Sequence, residues 1–284
     1  MLLPPKDRKM KKYWFVFCKS DLVLVKHDDG TFSVPLSEYP PIAVKPWTTV
    51  HHITIPDALA SGFEDYAFSE VGAFSIAAPI GDDGAAESAS EQEEKLVMCP
   101  LRQSFYKLTN AHYLMAGKCY ELLYWDSNTK YCGVCGSPMK MHSEISKRCT
   151  QCGKEIWPQL ATAVIVLIHR GDEVLLVRAR NFRGDFYGLV AGFVETGETL
   201  EEAVEREVHE ETGLQITNIR YFASQPWPYP SGLMVGFHAD YVSGEIHLQH
   251  SELSSGGWFT KDNLPHIPEK LSIARRLLDS WIDE

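Results

Sequence analysis

The sequence predicts an α+β chain in three parts. These are a mixed α/β N-terminal domain over 1–128, a four-cysteine module over 129–157 and a C-terminal α/β domain over 158–284. Three observations predict it: strand-like apolar runs on both sides of residue 130, two CxxC pairs between them, and one strongly amphipathic segment at 200–212. A length of 284 residues suits two domains, or one with a substantial attachment. An apolar share of 44% is enough for a sizeable core.

Taken in order, residues 13–36 alternate apolar runs around Asp28-Asp29-Gly30, the pattern of a β-hairpin with a tight turn. Strand-like pieces continue to about residue 78. Residues 82–94, DDGAAESASEQEE, carry six acids and no base, and read as a mobile surface loop. Apolar residues at helical spacing over 101–125 predict one or two helices. Beyond the cysteines, ATAVIVLIHR and EVLLVRAR read as two strands joined at Gly171-Asp172, and FYGLVAGFV as a third. A helix follows at 200–212, then strands near 216–224 and 234–242, then a C-terminal helix over about 269–282.

Bulk properties exclude several classes. No run of some 18 uncharged apolar residues is present, which argues against a membrane span. The N-terminus lacks a cleavage signal and reads better as strands, so a cytoplasmic protein is expected. A net charge of −11 argues against general nucleic-acid binding, which needs clustered Lys and Arg.

Of seven cysteines, Cys18, Cys99 and Cys119 are scattered, while Cys132, Cys135, Cys149 and Cys152 form two CxxC pairs thirteen residues apart. Two such knuckles supply the tetrahedral S₄ shell of a structural Zn²⁺, with Gly136 and Gly153 permitting the turns that follow. Residues 126–155 hold five Lys and Arg against three acids, a formal +2 that a Zn(Cys)₄ centre cancels. A structural staple is therefore favoured over a nucleic-acid contact.

In the amphipathic segment Thr199 and Glu202 have capping-box spacing, and Gly213 is placed to end the helix. Leu200, Ala203, Val204 and Val208 form one apolar stripe. Glu201, Glu202, Glu205, His209 and Thr212 fall on the opposite, wet face. Glu207 and Glu211 project within the stripe, with Glu210 at its edge. Carboxylates turned toward a core need a compensating charge, and a hard divalent cation supplies it. Arg206 borders the cluster and can orient a carboxylate.

Gly192, Glu198 and the run Arg206-Glu207-Val208-His209-Glu210-Glu211-Thr212-Gly213-Leu214 resemble the complete box GX5EX7REUXEEXGU of the Nudix hydrolase family. The resemblance implies a Nudix α/β/α sandwich, with Mg²⁺ or Mn²⁺ held by Glu207, Glu211 and, as a further candidate, Glu210. Ser224-Gln225-Pro226-Trp227-Pro228-Tyr229-Pro230-Ser231 is similar to the SQPWPFPxS signature of the NADH pyrophosphatase branch, which carries a Cys₄ zinc ribbon upstream. By composition this run is a stiff, proline-interrupted segment that blocks a regular strand ladder and presents Gln225, Trp227 and Tyr229. Two departures stand out: Tyr229 replaces the usual Phe, and Gly232 sits where the final Ser belongs.

The resemblance further implies metal ligation by Glu252 and by the Ala191 carbonyl. It implies stacking of Phe193 on nicotinamide and an aromatic, here Trp157, contributed across a homodimer. It also implies substrate contacts from Arg102, Glu144 and Ala274. The expected reaction is in-line attack by a metal-activated water on the diphosphate of NAD(H), giving AMP and nicotinamide mononucleotide, with the same chemistry removing NAD caps from RNA 5′ ends. Glu210 is the candidate general base, and Glu198 the holder of a water or second ion. Two alternatives stay open: a Nudix hydrolase for another dinucleotide such as ADP-ribose, and a non-catalytic ligand-sensing module. His51 and His52 read as surface or core residues rather than ligands.

Overall fold

The computed structural model describes residues 11–63, 69–80, 95–180 and 184–283, and the acidic segment 82–94 lies outside them. The chain forms two compact units, 1–159 and 160–284. No helix among the described residues is long and apolar enough to cross a membrane.

In the first unit, β1 (Lys12–Cys18), β2 (Asp21–Lys26), β3 (Phe32–Ser33), β4 (Leu36–Ser37), β5 (His51–Thr54), β6 (Glu70–Ser75) and β7 (Leu96–Pro100) share one sheet, along which the order β3-β2-β1-β6-β5 runs. The expected hairpin is β2–β3. Gly30, at φ +85, supplies the left-handed residue of its turn, and its N–H donates to the His27 carbonyl at 3.0 Å. A second hairpin, β1–β2, turns through Lys19 and Ser20. The helical pattern resolves into α1 (Leu101–Ser104) and α2 (Asn110–Asn128).

The cysteine module adds a sheet of β8 (Met139–Ser143), β9 (Ser146–Cys149) and β10 (Glu155–Ile156). Charged side chains moor it to the rest of this unit. Lys147 is nearly fully buried, pairs with Asp126 at 2.7 Å, and donates to the Asp126 and Thr129 carbonyls. Asp126 also meets His51 Nε2 at 3.3 Å. Burial opposes the Asp126 charge, but hydrogen bonds from His51 and Lys147 hold its carboxyl down at about 2. On the other side, Glu144 accepts from the Thr54 N–H (3.0 Å), the Thr54 hydroxyl (2.6 Å) and Lys118 (3.1 Å).

The second unit is a mixed six-stranded sheet between two helices. It contains β11 (Ala161–Arg170), β12 (Glu173–Ala179), β13 (Val190–Phe193), α3 (Leu200–Thr212), β14 (Gln215–Pro226), β15 (Gly232–Ser243), β16 (Leu253–Thr260) and α4 (Ile273–Ile282). The strand order is β14-β15-β11-β12-β16, with β13 paired to β11 and a parallel β11–β15 pair at the centre. Side chains alternate faces along a strand, so β11 feeds both cores. Val164, Val166 and Ile168 pack with Ala203, Val204 and Val208 of α3. Ile165 and Leu167 pack with Leu277, Leu278 and Trp281 of α4.

The α3 boundaries match the expected ones. The capping box is made reciprocally between Thr199 and Glu202, and Gly213 closes the helix at φ +73. Four readings need correction. Thr212 is fully buried, its hydroxyl donating to the Val208 carbonyl, because the helix end turns under the strands instead of facing water. The ladder of β14 runs through Gln225 and Pro226, which pair with Met234 and Leu233. A proline at a strand's last rung needs no donor, so the prolines end the strand rather than prevent it. The strand β16 is an element the sequence reading does not name. The last helix begins at Ile273, capped by Ser272, four residues later than expected.

Candidate active site

The site is built where β13 meets α3. Gly192 lies flat against the Glu207 side chain: a Cβ at this position would fall inside the carboxylate. The glycine therefore allows helix and strand to approach while an acid sits between them.

Arg206 organises the near side. It donates to both oxygens of Glu198, to Glu207 Oε1 at 2.9 Å, to Glu210 Oε2 at 3.1 Å and to the Phe193 carbonyl at 2.9 Å. The Glu195 N–H donates to Glu198 at 3.0 Å, and these bonds hold the Glu198 carboxyl below its usual range, with Arg206 as the main cause. Glu198 thus anchors Arg206 here. Glu210 is exposed and spends one oxygen on Arg206, which leaves the other facing solvent.

Glu211 is different. It is 5% exposed, and no hydrogen-bond donor among the described residues reaches its carboxylate. Burial pushes its carboxyl up to about 8, reinforced by negative charge on Glu207, Glu252 and Glu210. Glu207 is raised by burial too, against the pull of Arg206. A buried acid set among other acids, beside a glycine cradle, is the donor chemistry a hard divalent cation requires.

Glu252 comes from the far end of the fold on a backbone scaffold that sequence alone does not reveal. The Gln249 N–H donates to the Glu211 carbonyl at 2.9 Å, tying the 245–252 loop to the end of α3. The Arg180 N–H donates to the Glu252 carbonyl at 2.7 Å, tying the same loop to β12. A cavity of about 430 Å³ opens here, lined by Glu211, Glu252, Ser251, Arg180 and Ala191 among others. Arg180 carried no sequence signal, because only the pairing of β12 with β16 brings it beside Glu252.

Phe193, at the exposed end of β13, is 65% exposed. In the 224–232 run, Gln225 donates from Nε2 to the Leu271 carbonyl at 2.9 Å, while its Oε1 is buried with no partner. Trp227 and Tyr229 are half-buried and meet edge to face at 5.0 Å, and Pro228 is buried. This segment is thus a packed hairpin tip and not a run of freely presented side chains. Pro230 is exposed and Ser231 half-buried, its carbonyl accepting from Ala161 at 3.2 Å. A Cβ at Gly232 would lie 3.1 Å from the Ala161 carbonyl, a tight contact. Ala274 is buried in the core under α4, so its side chain serves packing. Arg102, Glu144 and Trp157 (53% exposed) belong to the first unit.

In the cysteine module, the Sγ atoms of Cys132, Cys135, Cys149 and Cys152 all lie within 4.8 Å of one another. Amide and hydroxyl donors of Ser137 lower Cys135 to about 6. The Lys154 amide favours a thiolate at Cys152, but the sulfurs of Cys135 and Cys149 push it up to about 12. Four thiolates this close need a cation between them, and this is a structural zinc site.

Comparison with known proteins gives three matches along the chain. Residues 11–125 match the NADH pyrophosphatase-like rudimentary NUDIX domain, 127–156 the NADH pyrophosphatase zinc ribbon domain, and 158–281 the NUDIX domain. The NAD-capped RNA hydrolase NudC of Pseudomonas aeruginosa strain LESB58 is 43% identical over 188 residues, 66% of this chain and 68% of its own length. The NAD-capped RNA hydrolase NudC of Photorhabdus laumondii is 43% identical over 212 residues, 73% of this chain and 81% of its own.

Proposed function

The chain belongs to the Nudix hydrolase family, and from that premise we propose that it hydrolyses the diphosphate bridge of NAD(H) to AMP and nicotinamide mononucleotide and removes NAD caps from RNA 5′ ends. The observation that carries the reading is the meeting of a buried, unpartnered Glu211 with Glu252 and the Ala191 backbone on one cavity, with Glu207 beside them.

Glu207, Glu211, Glu252 and the Ala191 carbonyl would hold Mg²⁺ or Mn²⁺. When bound, such an ion neutralises diphosphate charge and lowers the pKa of a water. The chain supplies the rest. Arg206 holds Glu207 and Glu210 at fixed positions, with Glu198 as its counterweight. Glu210, exposed and only half engaged, is the group able to take a proton from the attacking water. Phe193 offers an exposed ring face for a base, and the packed 224–232 hairpin would meet the substrate through its half-buried Trp227 and Tyr229, with Gln225 held in place by the Leu271 carbonyl. A cytoplasmic homodimer, in which each Trp157 contributes to its partner's site, completes the proposal.

The test is product analysis with NADH, NAD⁺, ADP-ribose and NAD-capped RNA, each with Mg²⁺ or Mn²⁺. Cleavage of NADH and NAD-RNA at the diphosphate, abolished in Glu207→Gln, is expected. Preference for ADP-ribose would replace the substrate assignment, and an inert wild type would indicate a ligand sensor.

A further inference from the structure

Arg180 lines the same cavity as Glu211 and Glu252, yet it pairs with neither. Its Nε–H donates to the His250 carbonyl, and among the described residues no carboxylate lies within ion-pair distance of its guanidinium. Among the described residues, the other arginines near the site are spent: Arg206 on Glu198, Glu207 and Glu210, and Arg178 on Asp185 at 3.0 Å. A guanidinium has five N–H donors. With Nε fixed to a backbone carbonyl, the two terminal nitrogens remain, and their planar pair is the half that grips phosphate bidentately.

We propose that Arg180 is a substrate-binding residue that takes non-bridging oxygens of the diphosphate from the wall formed by β12 and the 250–252 loop. This deepens the function proposed above and rests on it. The charge balance gives the reason. A diphosphate brings negative charge to a cavity already walled by Glu211 and Glu252, with Glu207 and Glu210 nearby. Glu207 and Glu211 on the α3 side would be offset by the divalent ions they would hold. A fixed cation on the opposite wall lets the substrate sit between two positive regions, and the bond from Nε to His250 orients that cation in advance. Arg180 also has its backbone bound to Glu252, so the residue has a rival role as a mere tether for the 250–252 loop, and the experiment must separate the two.

Arg180→Gln and Arg180→Lys are compared with wild type in three measurements: kcat and KM on NADH, calorimetric binding of inorganic pyrophosphate with Mn²⁺ present, and Mn²⁺ affinity without any phosphate. Loss of charge-assisted hydrogen bonds to phosphate is expected to reduce kcat/KM and pyrophosphate affinity each by about 10- to 100-fold in the Gln variant. The Lys variant should recover part of this, and Mn²⁺ affinity should stay level. Unchanged pyrophosphate binding overturns the proposal. So does a fall in Mn²⁺ affinity matching the fall in turnover, because that is what a loop tether produces. Arg180 is exposed, so both variants should fold, and matching melting curves check this. If wild type does not cleave NADH, the functional reading fails, while the pyrophosphate arm still decides Arg180.

Discussion

Four sulfurs lie within 4.8 Å at the middle of the chain, and a set of glutamates converges near its C-terminal third. Both gather like charge, and they differ in how they are enclosed. The cysteines come from two tight knuckles within about twenty residues of one another, and they fill a tetrahedral shell completely. The glutamates come from a helix and a distant loop, and they border an open cavity of about 430 Å³. A closed shell can only stabilise. An open one leaves room for a ligand, and the burial of Glu211 beside it costs stability when that carboxyl is charged.

Removing zinc offers the sharpest break in this comparison. A structural zinc contributes on the order of 10 kcal/mol to a small module. Chelation, or Cys149→Ser, should therefore release 130–156, seen as lost hydrogen-exchange protection there with α3 unaffected. Persisting protection in that stretch would mean the shell is not what holds the module. Next in size, Glu211→Gln should reduce kcat by about a thousandfold or more, equivalent to about 4 kcal/mol. Retained turnover would remove Glu211 from the metal set.

Asp126→Asn tests the mooring of the cysteine module. It leaves Lys147 buried without its charge partner, and should cost about 3 kcal/mol in urea unfolding at pH 7. In the wild type the Asp126 carboxyl is depressed from 3.8 to about 2. Its contribution, about 2 kcal/mol, should be present above pH 3.8 and vanish as pH falls through about 2. An acid-unfolding curve identical in Asp126→Asn would contradict this.

The last effect has the opposite sign. In metal-free protein Glu211 is raised from 4.5 to about 8, so its contribution is favourable below pH 4.5 and lost as pH rises through 8. Glu211→Gln should then melt a few degrees higher than wild type above pH 8, and about equally at pH 5.

What the sequence disclosed depended on how local the feature is. The helix at 200–212, with its Thr199 cap and Gly213 stop, and the two CxxC knuckles are patterns complete within a few residues, and each was legible to its boundaries. Strand β16 and the burial of Thr212 were not, because each depends on what a distant segment lays over it. Arg180 escaped for the same reason: nothing about an arginine at the end of a strand indicates that Glu252 will arrive beside it. The proline-rich run shows a third case. Its stiffness was readable, but the packing of Pro228 and the Trp227–Tyr229 contact follow from the hairpin it closes.

Gly192 carries a consequence for heredity. Every single-base change in a glycine codon that yields another amino acid adds at least a methyl group, and here that methyl would occupy the space of the Glu207 carboxylate. A substitution here requires the Glu207 carboxylate to shift from its position beside β13. A descendant without glycine at 192 is expected to hold the Glu207 carboxylate in a different place. Position 192 in related genes would therefore show which lineages keep this carboxylate against the strand.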